Sequence, residues 1–301
     1  MRILITGSNG LLGQKIIHQW SKNKDYDLIA TSRGENRVLE ITGFEYCSLD
    51  ISNREQVLDV VQKYNPDCII NTAAMTNVDQ CEVEKEACMA LNVDAVQYLL
   101  EACELENVFF LHLSTDFIFD GEAGPYDELA TTNPLSFYGN SKLQAEQLIM
   151  NAQCPWAIAR TVLVYGITEG MSRSNIILWV KNSLEQGKSI QLVNDQWRTP
   201  TLAEDLAIGC LLICKLQAEG VYNLSGEELM NPYQMALATA EYFGLDTSLL
   251  QETDGSKFSQ TAKRPPKTGF IIEKARKELG FEPKSFREGI AFLASQINAM
   301  N

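Results

Sequence analysis

The chain has 301 residues, 45% of them apolar, and a formal net charge of −14. That length admits one large domain or two smaller ones, and the apolar fraction supplies a core. The acidic balance argues against a nucleic-acid partner, which needs a dominant basic face. No apolar run approaches the ~20 residues that cross a bilayer, so no membrane partner is expected. Met1-Arg2-Ile3-Leu4-Ile5 reads as a strand rather than a signal peptide, and a cytoplasmic location follows. Eight cysteines are scattered without a Cys-x-x-Cys pair, and only His18 and His112 represent histidine. Reduced core thiols fit this pattern better than disulfides or a metal site.

In chain order, residues 2–6 form a short apolar strand. Thr6-Gly7-Ser8-Asn9-Gly10-Leu11-Leu12-Gly13 follows, then a helical pattern through Trp20. Strand, glycine-rich turn and helix in that order are what a dinucleotide site requires. Gly7 permits the tight turn, Gly10 lets backbone approach a pyrophosphate, and Gly13 lets helix pack on strand. The free N–H groups at the helix start, around Leu11 and Leu12, face the phosphates. Asp27–Thr31 is a second strand. It ends in Thr31-Ser32-Arg33-Gly34, where a carboxylate would bind ribose hydroxyls. A hydroxyl and a guanidinium there, Ser32 and Arg33, suit a 2′-phosphate. Phe44–Leu49 is a third strand ending at Asp50-Ile51, and a helix spans about 53–64. Asp67–Asn71 is a fourth strand, left through the small residues Thr72-Ala73-Ala74, which let backbone lie against a flat ligand. A long helix is expected over roughly 80–105, carrying Asn92.

Val108–Ser114 is a fifth strand. It delivers Thr115 and Asp116 at its C-terminal end, where ligands sit in open parallel sheets. A turn-rich loop leads to a helix at 137–151. Residues four apart share a helix face, so the Tyr138 hydroxyl and the Lys142 ammonium can meet one ligand. An ammonium nearby favours the phenolate, and the pair would form an acid/base group for a carbonyl or alcohol oxygen. Ala157–Thr161 is a sixth strand. Beyond Val162 the alternation weakens: a helix at 173–187, a strand at Ile190–Val193, a helix at Thr201–Lys215 and a strand at Val221–Leu224 are expected. Helices at 231–244, 272–279 and 285–298 complete the chain, with a polar, turn-rich segment at 251–269. The pattern predicts an α/β protein: a Rossmann-type doubly wound parallel sheet with a smaller C-terminal substrate-binding α+β domain. Residues 1–162 with about 189–216 are assigned to the dinucleotide unit, and about 163–188 with 217–301 to the other.

Thr-Gly-x-x-Gly-x-x-Gly at 6–13, Ser-Thr-Asp at 114–116 and Tyr-x-x-x-Lys at 138–142 resemble an extended short-chain dehydrogenase/reductase. Thr115 to Gly121 (Thr-Asp-Phe-Ile-Phe-Asp-Gly), Pro134-Leu135, Arg160-Thr161, Asn194-Asp195-Gln196, Pro200-Thr201 and Arg264-Pro265 resemble, more narrowly, the dTDP-4-dehydrorhamnose reductase family. The likeness spans nearly the whole chain. It implies reduction of the 4-keto group of a dTDP-4-keto-6-deoxy sugar by NADP(H), with NAD(H) also accepted. It further implies Tyr138 as proton donor, Lys142 on the nicotinamide ribose lowering the Tyr138 pKa, and Thr115 on the reacting oxygen. Asp116 would touch the sugar, Asp50-Ile51 the adenine, and Ala73-Ala74-Met75 the cofactor. The partner would be a small-molecule nucleotide sugar, and by analogy with the fold the chain would form a homodimer.

Two positions depart from the family. Leu11 stands where Gln is common, and Leu163 stands where a Trp against the sugar is usual. Two other readings stay open. One is a nucleotide-sugar epimerase or dehydratase; dehydratases usually carry Asp-Glu after the threonine, whereas Phe117 follows Asp116 here. The other is a non-catalytic NADP-binding regulatory subunit of an S-adenosylmethionine-forming enzyme, which would have no need of a proton donor.

Overall fold

Ile3, Leu4 and Ile5 are wholly buried, and alternate side chains leave the strand on opposite faces. Ile3 and Ile5 join one apolar cluster, with Ile16, Ile17, Leu206 and Cys210. Leu4 joins another, with Val57, Val61, Leu99 and Ile149. A strand apolar on both faces needs helices above and below it, and that requirement organises the molecule. The computed structural model describes residues 1–168, 170, 175–257 and 261–300.

Seven strands form the main sheet: β1 (Arg2–Thr6), β2 (Asp27–Ser32), β3 (Phe44–Ser48), β4 (Cys68–Asn71), β5 (Phe109–Thr115), β6 (Trp156–Thr161) and, much later, β10 (Gly220–Asn223). Their order is β10-β6-β5-β4-β1-β2-β3, and every pairing is parallel. The order reverses between β1 and β4, and the carboxyl ends beside this point are where a doubly wound sheet binds ligands. The crossover helices are α1 (Leu11–Trp20), α2 (Arg54–Tyr64), α3 (Val78–Val83), α4 (Lys85–Met89), α5 (Ala95–Glu106) and α6 (Phe137–Met150). The Rossmann-type fold expected from the alternation is the one observed.

The remaining strands are β7 (Val164–Tyr165), β8 (Ile190–Val193), β9 (Thr201–Leu202) and β11 (Leu250–Thr253). They form two small sheets, β7 with β9 and β8 with β11. Around them lie α7 (Ile176–Glu185), α8 (Ala203–Leu216), α9 (Pro232–Phe243), α10 (Glu273–Leu279) and α11 (Phe286–Met300). No described helix is long and apolar enough to cross a membrane.

Three expectations need correction. The strand at 190–193, placed by the alternation in the dinucleotide unit, pairs among the described residues with β11 alone, whose short polar sequence gives no strand signal. Conversely, β10 was assigned to the other unit and instead extends the main sheet beside β6. Sheet membership is decided by pairing partners remote in sequence, which local patterns do not contain. The long helix at 80–105 is really α3, α4, a π-helical turn at Ala90–Asp94, and α5. Glu84 leaves helical geometry (φ −103, ψ 57), and the π turn shifts the register by one residue, so that Asn92 and Val93 both face inward. Of the helix expected at 173–187, residues 173 and 174 lie outside the described residues, as do 258–260 of the segment 251–269.

Candidate active site

Gly7 sits at φ +66, and a Cβ there would press on Ala73 N and Thr72 Oγ1, both at 2.8 Å. A Cβ on Gly13 would fall 2.6 Å from the Gly7 carbonyl oxygen. Both glycines are therefore required by close packing of the turn on its neighbours. Gly10 caps α1 in extended conformation with no side chain covering the helix start. The first N–H groups of a ten-residue helix are left for a ligand, which suits a dinucleotide pyrophosphate. Ser8 Oγ, buried in the same turn, has no hydrogen-bond partner among the described residues.

A cleft of about 1160 Å³ opens above this turn. Of the residues named from the sequence, Gly10, Leu11, Ser32, Arg33, Ala74, Met75 and Leu163 line it. Leu163 is 44% exposed and holds a left-handed φ of +39, which turns the chain sharply between β6 and β7. Other expected residues do not line the cleft. Leu12 packs against the core, and Ile51 is a core residue, 4% exposed. The Asp50 carboxylate accepts from Ser52 N and Oγ at 3.0 and 2.7 Å. Burial raises the Asp50 pKa, but these bonds and the nearby Arg33 outweigh it, and the net shift is downward. Sequence reasoning missed Asn9 and Arg37, which also line the cleft. Asn9 accepts from Arg37 N at 2.9 Å and donates to Glu35 O at 2.9 Å, tying the loop after β2 to the glycine turn. Among the described residues neither Arg33 nor Arg37 makes an ion pair.

Thr115 at the carboxyl end of β5 and Tyr138 and Lys142 at the start of α6 are all buried, and none of the three lines the cleft. Ser136 caps α6 by accepting from Gly139 N at 3.1 Å. Gly139 packs so closely on the Phe117 carbonyl that a Cβ would overlap it. This contact seats Tyr138 edge-on to Phe117, with ring centroids 5.8 Å apart. Burial pushes Tyr138 well above its usual value, and the Thr115 hydroxyl nearby offsets this only in part. The expected lowering by Lys142 is therefore not what the structure gives. Lys142 Nζ turns instead to the Leu113 carbonyl at 2.6 Å and His112 Nε2 at 2.8 Å. Burial pulls Lys142 down to about 8. A phenol kept protonated in this way is suited to give a proton rather than take one.

Asp116 is 2% exposed, and its carboxylate is already engaged. It accepts from Thr115 Oγ1 at 3.2 Å and from Thr268 Oγ1, and lies 3.4 Å from Arg198 Nε. Arg198 donates in turn to the carbonyls of Pro265 and Trp197, both at 2.7 Å. Within the protein, Asp116 forms a buried strut to the C-terminal loop. Asn92, delivered by the π turn, donates to Met75 O at 3.1 Å and to Ser141 Oγ at 3.0 Å, and accepts from Met75 N at 2.8 Å. It fastens a wall of the cleft to the helix of Tyr138.

A family model described as the RmlD substrate binding domain matches residues 1–298. The chain belongs to the RmlD substrate binding domain family. Within it, the chain is 29% identical over 301 aligned residues to a dTDP-4-dehydrorhamnose reductase of Aggregatibacter actinomycetemcomitans, covering 96% of this chain and 97% of that one. It is 33% identical over 274 residues to methionine adenosyltransferase 2 subunit beta of Danio rerio, covering 88% and 80%. Among solved structures it resembles a dTDP-4-dehydrorhamnose reductase of Bacillus anthracis in complex with NADP. The TM-score is 0.86 and the identity 26%, over 98% of this chain and 99% of that one. The family model and the two reductases agree with the family inferred from the motifs at 6–13, 114–121 and 138–142.

Proposed function

We propose that the protein is an NAD(P)-dependent oxidoreductase that reduces the 4-keto group of a dTDP-4-keto-6-deoxy sugar, as in dTDP-4-dehydrorhamnose to dTDP-L-rhamnose. NADPH, when bound, supplies the hydride. The glycine turn and the N-terminus of α1 would hold its pyrophosphate, and Ser32 and Arg33 its 2′-phosphate. Tyr138 gives its proton to the carbonyl oxygen, and the Thr115 hydroxyl stabilises the charge developing there. Leu163 and the described parts of 163–269 would bound the sugar, which enters beside the loop after Ser114. The observation that carries this reading is the buried Tyr138 phenol, kept protonated by burial, beside Thr115 at the carboxyl end of β5.

Sequence relatives named as a methionine adenosyltransferase subunit make a regulatory role the competing reading. A binding subunit has no use for a preserved proton donor, and Thr115, Tyr138 and Lys142 are all present. The test follows NADPH absorbance with a panel of nucleotide 4-keto-6-deoxy sugars. Turnover of the dTDP sugar, lost by at least ~10²-fold in Tyr138→Phe while NADPH affinity stays within about two-fold, supports the enzyme. A Tyr138→Phe protein as active as wild type would overturn the mechanism, and no turnover of any sugar would favour the regulatory reading.

A further inference from the structure

His112 is 1% exposed, lies within β5, and has both ring nitrogens engaged. Nδ1 is 3.1 Å from the Asn71 amide nitrogen, and Nε2 is 2.8 Å from Lys142 Nζ. These contacts cannot both be donations to the ring. A neutral imidazole carries one N–H, and both burial and the Lys142 charge hold His112 well below its usual pKa, so the ring is neutral.

Thr6 decides the direction. Its hydroxyl donates to Asn71 Oδ1 at 2.6 Å, and its Oγ1 accepts from Ala73 N at 3.4 Å. With Oδ1 held by Thr6, the Asn71 NH2 faces the ring, and Nδ1 accepts. The ring proton then sits on Nε2 and points at Lys142. An ammonium has donors only, so Nζ can accept that bond only as a neutral amine. When Lys142 is charged, every link must reverse. Lys142 donates to Nε2, Nδ1–H donates to the Asn71 oxygen, and the Asn71 amide turns toward Thr6. The Thr6 hydroxyl then loses its acceptor, a buried hydrogen bond that the reversed chain must do without.

We infer that Thr6, Asn71, His112 and Lys142 form a two-state hydrogen-bond chain. One direction holds Lys142 as a neutral amine, the other as an ammonium, and dinucleotide binding drives the first to the second by uptake of a proton from solvent. The cofactor is a polyanion, and an opposite charge nearby favours the ammonium. The groups facing Lys142 leave it as the one that responds. On its own helix, Glu146 is neutralised by Arg160 of β6 at 2.7 Å, and Tyr138 is kept protonated. Cys88 of α4 lies against Ser141 at 3.4 Å, and Asp116 is paired with Arg198. Burial pulling Lys142 down to about 8 places both states within reach of ordinary buffers.

The inference rests on the reading that Lys142 meets the cofactor, and not on the identity of the sugar. The test is calorimetric titration of the full chain with NADPH, in buffers of differing ionisation enthalpy, which counts the protons bound. With burial holding the free Lys142 at about 8, uptake should be substantial at pH 9 and much smaller at pH 7. The 2′-phosphate, with a second pKa near ~6, is fully ionised at pH 9 and contributes nothing. Asn71→Asp fixes an acceptor on Nδ1–H, locks the charged direction, and should abolish the uptake at pH 9. Lys142→Met should abolish it too. Absence of uptake by wild type at pH 9, uptake unchanged in Asn71→Asp, or uptake persisting in Lys142→Met would each overturn the chain. If Lys142→Met leaves NADPH affinity unaltered, the placement of the cofactor has failed instead. If proton uptake behaves as expected but no sugar is reduced, only the proposed reaction falls.

Discussion

At the scale of single residues, the proposed cofactor choice rests on the end of β2. Ser32 and Arg33 line the cleft where a ribose-binding carboxylate would repel a phosphate, and Arg33 has no ion-pair partner among the described residues. A charge-assisted bond from a planar guanidinium to the 2′-phosphate contributes about 1.5–3 kcal/mol, one to two decades in binding. The overall charge of −14 repels any dinucleotide, but salt screens it over ~8 Å, so the local contact dominates. Wild type should favour NADPH over NADH in kcat/KM, and Arg33→Ala should cut that ratio about ten- to hundred-fold. Arg37, on the same loop, should matter less, because it was Arg33 that the chain placed directly after the strand. If Arg37→Ala lowers the ratio and Arg33→Ala does not, the two roles are exchanged.

At the scale of elements, α6 positions the chemistry, and Gly139 positions α6. Its missing Cβ lets the helix close on the Phe117 carbonyl. Gly139→Ala must push the helix back, and overpacking of this kind typically costs about 1–3 kcal/mol. We expect a lower Tm and a turnover loss larger than the stability loss accounts for, because Tyr138 moves with the helix while the cofactor turn does not. Thermal unfolding and steady-state assays on the same preparation check this. A variant with wild-type Tm and kcat would show that α6 tolerates the shift. The sequence announced α6 through the helix formers after Asn140 and the apolar Leu143, Leu148 and Ile149. It did not announce the π turn at Ala90–Asp94, since a helical period averaged over many residues is insensitive to one inserted position.

At the scale of the molecule, Asp116 and Arg198 join the end of β5 to the C-terminal loop. Burial raises the Asp116 pKa, and the Arg198 charge is the largest influence opposing it. Arg198→Met would leave a buried carboxylate unpaired, a change that usually costs about 3–5 kcal/mol. Asp116 would then bind its proton more tightly folded than unfolded. A carboxyl with a raised folded pKa contributes stability below its unfolded value and loses it as pH rises through the folded one. The deficit of Arg198→Met relative to wild type should accordingly be greater at pH 8 than at pH 5, measured by denaturant unfolding. Asp116→Asn combined with Arg198→Met should recover part of it. An equal deficit at both pH values would mean that the strut acts through packing rather than charge.

Much of this was written locally. The glycine turn, the strand–helix alternation, the Ser32-Arg33 end of β2, and the Thr115, Tyr138 and Lys142 triplet each depend on residues close in sequence, whose propensities and spacings carry the information. The family followed from the same motifs. What the sequence could not decide depends on neighbours far apart along the chain. Strand β10 joins the main sheet and β8 does not, because each finds its edge partner across long intervening segments. Asp116 is tied to the C-terminal loop, because Arg198 and Thr268 arrive from the other half of the chain. Lys142 turns from Tyr138 toward His112, because β5 brings a buried imidazole within 2.8 Å. Burial then sets the protonation of these groups, and burial belongs to the folded whole: no residue carries it alone.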